Sequence, residues 1–252
     1  MGLEGLDVVL IVLGAFAGGI VNGMTGFGTG LAAMPFWLAA TSPPVAAQLA
    51  AACGAWGQLQ TLPSFWRLIR RDIAVPMVLG GLIGLPVGTF LLPYARIEHF
   101  RLGIGALLVI YCSFMLWGGA RPWLSIRSRL ADGLIGVLGG VLGGLGGISG
   151  PPPAVWASLN GWRKDDRRGV FMAFNGTILT MMLVSSAVAG LANWEFLRAL
   201  ALALPGTIVG AYIGGKLYWR LNEQRFNQLV LLLLLAMGVM LVGTTLFTAL
   251  AG

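Results

Sequence analysis

The chain has 252 residues, of which 57% are hydrophobic and only 10% are charged. Soluble domains carry about 25% charged residues, so this composition excludes an ordinary soluble enzyme and indicates a polytopic membrane protein. The formal net charge of +7 does not point to nucleic acid, because the basic residues lie in short clusters between apolar segments, where membrane topology places them. The opening residues lack the basic stretch of a secretory signal peptide, so we expect no cleaved leader.

Apolar segments near the roughly 20 residues needed to cross a bilayer follow one another along the whole chain. They cover residues 7–40, 44–66, 73–92, 98–118, 131–159, 168–190, 194–215 and 226–250. The first and the fifth are each interrupted near the centre by glycine, proline and hydroxyl residues. The sequence therefore predicts an all-α polytopic membrane protein in which two segments are broken.

The two broken segments lie about 120 residues apart. The first reads GAFAGGIVNGMTGFGTGLAAMPFWL over residues 14–38, and the second reads GVLGGVLGGLGGISGPPPAVWASL over residues 136–159. Interrupted hydrophobic segments at corresponding places in two halves of a chain are a sequence pointer to the binding site of a transporter. This pattern predicts a transporter in which each half contributes one broken segment.

The remaining segments repeat in the same order, which predicts an internal duplication. Gly84 and Gly88 correspond to Gly206 and Gly210 in the third segment of each half, and Cys53-Gly54 corresponds to Asn175-Gly176 in the second. We therefore divide the chain into an N-terminal repeat over residues 1–118, a linker over residues 119–130 and a C-terminal repeat over residues 131–252, all within one integral membrane domain.

The basic residues predict how the segments cross the membrane. If each broken segment crossed once, the 16 Lys and Arg residues would divide 9 to 7 between the two faces; if each is a re-entrant hairpin, they divide 13 to 3. The positive-inside rule favours the hairpins, which places both termini outside and gives the two repeats opposite orientations. The basic face then carries Arg67, Arg70, Arg71, Arg121, Arg127, Arg129, Arg163, Lys164, Arg167, Arg168, Lys216, Arg220 and Arg225, and the other face Arg96, Arg101 and Arg198.

The interruptions themselves are the candidate binding site. Non-helical backbone inside a bilayer must meet protein or water, so we expect the two hairpin tips to meet in the centre of the protein. Glycines allow close approach to a ligand, and a half-helix that starts after each tip offers backbone N–H groups to an anion. Two polar residues of the second segments are the best further candidates to line the site. The candidate residues are Asn22, Gly23, Thr25, Gly26, Phe27, Gly28, Thr29, Gly30, Gly144, Gly146, Gly147, Ser149, Gly150 and Pro151 from the tips, with Gln58 and Asn175.

Helix packing and interhelical hydrogen bonding are the alternative interpretations. Gln58 and Asn175 are open to either interpretation, since interhelical bonds also use amide side chains. Ionisable residues fall near segment ends, and His99, the one histidine, is expected at a membrane interface. With no catalytic or metal-binding motif, we expect neither an enzyme nor a cofactor or metal site. Glycines outside the tips are interpreted as helix contacts: Gly14, Gly18, Gly84, Gly88, Gly136, Gly140, Gly206 and Gly210.

The stretches GGIVNGMTGFGTGLAAMPFWL and GGVLGGLGGISGPPP, together with the duplicated four-segment layout, resemble the sulfite exporter TauE/SafE family over residues 8 to 248. The resemblance implies a permease of the bacterial inner membrane for sulfite or an organosulfonate, working by alternating access. It maps the family's two glycine-rich motifs onto residues 23–35 and 143–153. The first motif reads Met24-Thr-Gly-Phe-Gly where many relatives show a plainer glycine run, which leaves the anion open.

Other functions stay open from the sequence. A channel-like facilitator, or an ion-coupled uptake carrier for another small solute, would also use broken segments, and a non-transporting membrane scaffold is a third reading. The expected partners are a small anionic substrate and the lipid bilayer, without nucleic acid and with a homodimer left open.

Overall fold

The computed structural model describes residues 5–91, 126, 128–146, 149–188 and 193–251, together with nine positions between 102 and 116, and the regular secondary structure within them is all helical. A 3₁₀ turn over Trp66–Leu68 joins α3 to α4, and the described positions between 102 and 116 are helical as well. The helices are α1 (Gly5–Thr25), α2 (Thr29–Ala40), α3 (Pro43–Phe65), α4 (Arg71–Leu91), α5 (Arg129–Gly146), α6 (Pro151–Leu159), α7 (Lys164–Val188), α8 (Trp194–Tyr218) and α9 (Glu223–Ala251).

Both predicted interruptions are confirmed. The first broken segment stops being helical at residues 26–28, and the second ends its first helix at Gly146 and resumes at Pro151. Four of the described helices, α1, α4, α7 and α8, are long and apolar enough to cross a membrane. The predicted linker over residues 119–130 and the segment over residues 98–118 lie largely outside the described residues, as does His99.

The first broken segment folds as a helical hairpin. The indole Nε1 of Trp37 donates to the carbonyl of Ile11 at 3.0 Å, while the α-carbon of Gly18 faces Thr29 and Ala33. Residues near the start of α1 thus meet the end of α2, so the two helices run antiparallel. At 1.5 Å per residue, α1 is about 31 Å long and α2 about 18 Å, so the returning helix retraces only part of the distance.

The second broken segment folds in the same way. The indole Nε1 of Trp156 in α6 donates to Oδ1 of Asp132 near the start of α5 at 2.9 Å, and Gly143 near the end of α5 faces Ser149. In both hairpins a tryptophan of the short helix bonds to the first half of the long one. These bonds fix the angle at which each short helix returns.

Each hairpin packs on a helix of the other half through glycines. Val12 in α1 contacts Gly206 in α8, and Gly19 further along α1 contacts Gly210 further along α8, so these two helices are parallel. A methyl group on Gly210 would overlap the carbonyl of Phe16. The pair α4 and α5 repeats the arrangement through Met77 with Gly136, Gly81 with Gly140 and Leu85 with Gly144. The glycines interpreted as helix contacts are confirmed in that role, since each lies against a neighbouring helix.

The directions of the remaining helices follow from their contacts. In α3 and α7, Gly54 lies against Leu179 while Thr61 bonds to Met172, so these two helices run antiparallel. Helix α3 runs parallel to α8, by contacts at Cys53 with Thr207 and at Phe65 with Gly215. Helix α7 runs parallel to α5, by contacts at Phe174 with Gly139 and at Ile178 with Gly143. Helices α1, α8 and α3 are thus parallel to one another, whereas α7 and α5 run antiparallel to them. Because α1 and α5 point in opposite directions, the two hairpins enter the bundle from opposite ends.

Basic residues gather at one end of the bundle, which we call the basic end. Arg70 before α4 lies 3.7 Å from Asp166 in α7, and the backbone N–H of Lys164 donates to Glu223 at the start of α9. The basic end therefore joins the end of α3, the starts of α4, α7 and α9, and the end of α8. Helix α5 begins there too, being parallel to α4. Arg198, near the start of α8, lies at the opposite end, as the charge grouping predicted; Arg96, Arg101, Arg121 and Arg127 lie outside the described residues.

Two glycines of α5 test the close packing of the hairpins. A methyl group at position 136 would overlap the carbonyl of Met77, so we expect Gly136→Ala to lower stability by about 1–3 kcal/mol. At position 133 the nearest atom is the carbonyl oxygen of Pro76 at 3.6 Å, so Gly133→Ala should be neutral or stabilising by up to about 1 kcal/mol. Thermal unfolding midpoints of the two variants in the same detergent compare them directly. Equal midpoints would contradict the packing described here.

Candidate functional site

The turn between α1 and α2, residues 26–28, is the first tip. Its two glycines have φ angles of 82° at Gly26 and 83° at Gly28, in the left-handed region that only glycine adopts readily. The hydroxyl of Thr25 closes the turn by bonding to the carbonyls of Val21 and Phe27, each at 2.9 Å. Thr25 therefore directs its hydroxyl to the backbone of its own turn.

Two buried amide side chains hold the first tip against α3. Nε2 of Gln58 donates to the carbonyl of Gly26 at 2.6 Å and to Oδ1 of Asn22 at 2.7 Å. Nδ2 of Asn22 in turn donates to Oγ1 of Thr29 at 2.7 Å and to the carbonyl of Gly54 at 3.0 Å. These bonds satisfy polar groups that the broken helix exposes, which is necessary in a low-dielectric interior.

Asn175 in the middle of α7 links the two tips. Ser149 and Gly150 are the described residues of the second tip, the turn over residues 147–150. The hydroxyl of Ser149 donates to Oδ1 of Asn175 at 2.8 Å, and Nδ2 of Asn175 donates to the carbonyl of Gly26 in the first tip at 3.2 Å. The ring of Phe27 lies against Gly150, so the tips are also in van der Waals contact. The expectation that the interruptions meet inside the protein is confirmed.

The structure gathers most of the predicted site residues and separates a few from them. One cluster contains Asn22, Thr25, Gly26, Phe27, Thr29, Gln58, Ser149, Gly150 and Asn175. Gly28 completes the first tip, Gly30 faces Ala50 in α3, and Gly23 packs on Ala211 in α8. Gly144 contacts Leu85 and Thr89 in α4, as a packing glycine would. Gly146 ends α5, and Gly147 lies outside the described residues.

The second tip differs from the expected chemistry at its helix start. Pro151 begins α6, but residues 151–153 are all proline and carry no backbone N–H. The prediction that both half-helices offer N–H groups therefore fails for the first turn of α6. The first turn of α2 keeps its N–H groups, because Thr29 and Gly30 are not prolines and Gly28 supplies no side-chain cap.

Arg168 is a further residue beside the tip cluster, which the sequence analysis placed on the basic face at the start of the segment 168–190. The structure puts it inside α7, with 0% of its surface exposed. Its Nη2 donates to the carbonyl of Gly23 and to Oγ1 of Thr61, both at 3.2 Å, and its Nη1 lies 3.4 Å from Oε1 of Gln58. A buried cation therefore lies directly behind the first tip.

The sequence does contain a signal for Arg168. Residues 168, 172 and 175 lie on one face of an α-helix, because positions i, i+4 and i+7 coincide there. Asn175 already marked that face as inward, so Arg168 belongs to it, whereas its neighbour Arg167 turns about 100° away and bonds to Asn227 in α9. Hydropathy alone does not show this, because Arg168 is the first residue of the predicted segment 168–190 and a charge at that place is expected at the membrane surface.

Nothing in the described residues resembles a metal or nucleophilic centre. Those residues contain no group of three or more His, Cys, Asp or Glu side chains that could hold a metal ion. The cluster at the tips consists of neutral amides, hydroxyls, backbone carbonyls and one guanidinium. Such groups can bind and orient an anion through hydrogen bonds and charge.

Asn175 provides a test of the link between the tips. Replacing it by alanine removes the acceptor of Ser149 and one donor to Gly26, so we expect Asn175→Ala to lower stability by about 1–3 kcal/mol. Thr180→Ala on the same helix serves as the control, since Thr180 is exposed and bonds only within α7. Heating the purified variants in detergent and measuring the monodisperse fraction compares them. A loss no larger than that of Thr180→Ala would contradict the proposed link.

Comparison with known proteins assigns the chain to a family. A family model described as Sulfite exporter TauE/SafE matches residues 10–241, a range that includes both hairpins and every helix of the tip cluster. No curated protein and no solved structure matches the chain. The resemblance carried by the two glycine-rich motifs is thereby confirmed. The chain, a multi-pass helical protein with two broken segments, therefore belongs to the TauE/SafE sulfite exporter family, whose members are membrane transporters and not enzymes.

Proposed function

We propose that this protein exports a small sulfur-containing anion, sulfite or an organosulfonate, across the bacterial inner membrane by alternating access. The observation that carries the proposal is the meeting of two hairpin tips that enter from opposite ends, at a buried cluster of hydrogen-bonding groups. The family match supports an anionic substrate. Interrupted helices that meet at mid-membrane are a recurring way to build transporter binding sites.

The chemistry of the first tip supports an anion as the substrate. Helix α2 begins at Thr29 without a side-chain cap, so its first N–H groups and the positive end of its dipole face the tip. Gln58 and Asn175 present amide N–H donors to the same carbonyl of Gly26. When the tips separate, Asn175 would lose one of its two bonds to them, and an anion between the tips would replace that bond.

The membrane arrangement that fits these features is an inverted repeat. Residues 1–118 and 131–252 would form the two repeats, joined by the linker over residues 119–130. The opposite directions of α1 and α5 support this assignment. The positive-inside rule places the basic end in the cytoplasm and both termini in the periplasm.

The packing also suggests which parts move. Each hairpin is locked to a helix of the other half by glycine contacts that leave no room for a methyl group: α1 and α2 with α8, and α5 and α6 with α4. At the tips these two bodies are connected by the bonds of Asn175 in α7 to Ser149 and Gly26, and by the contact of Phe27 with Gly150. Rocking one body against the other would open the tips to one face at a time. The inside-negative potential then favours exit of an anion by about 2.3 kcal/mol per charge per 100 mV.

Proteoliposomes loaded with sulfite provide the test of this function. We expect saturable sulfite efflux that accelerates when the interior is made negative. Ser149→Ala should lower the maximal efflux at least about tenfold, because the hydroxyl of the second tip is lost. Ser185→Ala is the matched control, since Ser185 is an exposed serine further along α7.

The other outcomes separate the alternatives. Flux that does not saturate would indicate a channel-like facilitator, and dependence on a sodium or proton gradient would indicate an ion-coupled carrier. If the folded protein moves neither sulfite nor methanesulfonate, the proposal is wrong. Equal efflux by the Ser149 and Ser185 variants would remove the second tip from the substrate site.

A further inference from the structure

The guanidinium of Arg168 has weaker hydrogen bonds than the neutral groups around it. Its bonds to Gly23, Thr61 and Gln58 measure 3.2–3.4 Å, and its Nε–H has no partner. The adjacent amide bond from Gln58 to Gly26 measures 2.6 Å. Charged donors normally form the shorter bonds, about 2.7–2.9 Å to an anionic oxygen. The amide of Gln58 is therefore better satisfied than the buried guanidinium beside it.

The charge of Arg168 is also uncompensated within the described residues. The ion pairs there join Arg70 to Asp72 and to Asp166, and none includes Arg168. The face of its guanidinium lies 4.4 Å from the ring centre of Phe65, which is a weaker partner than a carboxylate. Burying an unpaired cation is unfavourable. Ionisable residues kept at such cost inside membrane proteins usually serve transport.

In the proposed inverted repeat, the position of Arg168 has a neutral counterpart in the other half. Cys53 corresponds to Asn175 and Gly84 to Gly206, a constant offset of 122 residues. The same offset places Ala46 opposite Arg168, and Ala46 is fully buried in α3. One half thus packs this position with a methyl group, while the other carries a guanidinium behind the first tip.

We propose that Arg168 is the positively charged group that binds the transported anion, and that it selects oxyanions with two oxygens available for its planar fork. This inference rests on the proposed transport function and adds the residue and the class of substrate. The oxygens of such an anion replace the long bonds to Gly23 and Thr61 and reach the free Nε–H. A guanidinium holds two oxygens side by side, which an ammonium group does not.

The position of Arg168 would allow an anion to bind from the basic end of the bundle, the end that the proposed function places in the cytoplasm. It lies one helical turn from the start of α7, at the basic end, where the surrounding lysines and arginines attract anions. Phe65 covers its guanidinium, and Tyr218 packs edge-on against Phe65 at 5.1 Å between ring centres. An anion that arrives from the basic end reaches Arg168 when these two rings separate.

Binding to the purified protein tests the proposal independently of transport. Tryptophan fluorescence is titrated with sulfite, methanesulfonate and chloride at constant ionic strength, for the wild type, Arg168→Gln, Arg168→Lys and Arg225→Gln. We expect Arg168→Gln to weaken sulfite binding at least about thirtyfold, and Arg168→Lys at least about tenfold with a smaller change for chloride. Arg225→Gln should bind like the wild type, since Arg225 is an exposed arginine at the same end.

The outcomes distinguish this inference from the proposed function. If the wild type binds sulfite and folded Arg168→Gln binds it equally well, the role of Arg168 is overturned while the proposed function stands. If Arg168→Gln does not fold, the result for Arg168→Lys is used instead. Wild-type affinity of Arg168→Lys for sulfite, with an unchanged preference for oxyanions over chloride, would show that the guanidinium does not select the anion. If the wild type responds to none of the three anions, the proposed function fails and this inference fails with it.

Discussion

A helix that ends inside a membrane leaves polar backbone groups without partners, and this protein satisfies that requirement with amide side chains. The carbonyl of Gly26, freed by the end of α1, accepts from both Gln58 and Asn175. These side chains come from α3 and α7, the second long helix of each half. The interruption therefore determines where those helices must lie, because any displacement would leave a buried carbonyl unpaired at a cost of about 1–3 kcal/mol.

The exchange of hairpins between the halves follows from the same need. A tip is shielded from lipid only where protein surrounds it, and each hairpin here also packs on a helix of the other half. Glycines make this approach close enough: the backbone of Gly140 touches that of Gly81, and Gly19 touches Gly210. Van der Waals packing drives helix association in lipid, where the hydrophobic effect between helices is absent. The two halves consequently form an interlocked pair that is joined by hydrogen bonds at the tips and by close glycine contacts along the hairpins.

The sequence predicted the helices and the place of both breaks, because hydropathy and glycine clusters report them directly. It did not predict the individual bonds at the tips, since Asn22, Gln58 and Asn175 are separated by 36 and 117 residues and amides bond to many partners. Gly144 was grouped with the tips by its neighbours in sequence, yet it packs on α4 because a helix continues to Gly146. Arg168 was placed on the basic face because it is the first residue of the predicted segment 168–190, whereas the helix begins four residues earlier at Lys164 and carries Arg168 into the bundle.

The two tips differ in the groups that they offer to a ligand. The first tip has helix N–H groups, two amide donors and a cation behind it, whereas the second has three prolines without N–H groups and the hydroxyl of Ser149. Under the proposed function, an anion between the tips would interact more strongly with the first tip than with the second. In the proposed inverted repeat, the largest difference in charge between corresponding positions near the tips is that between Ala46 and Arg168.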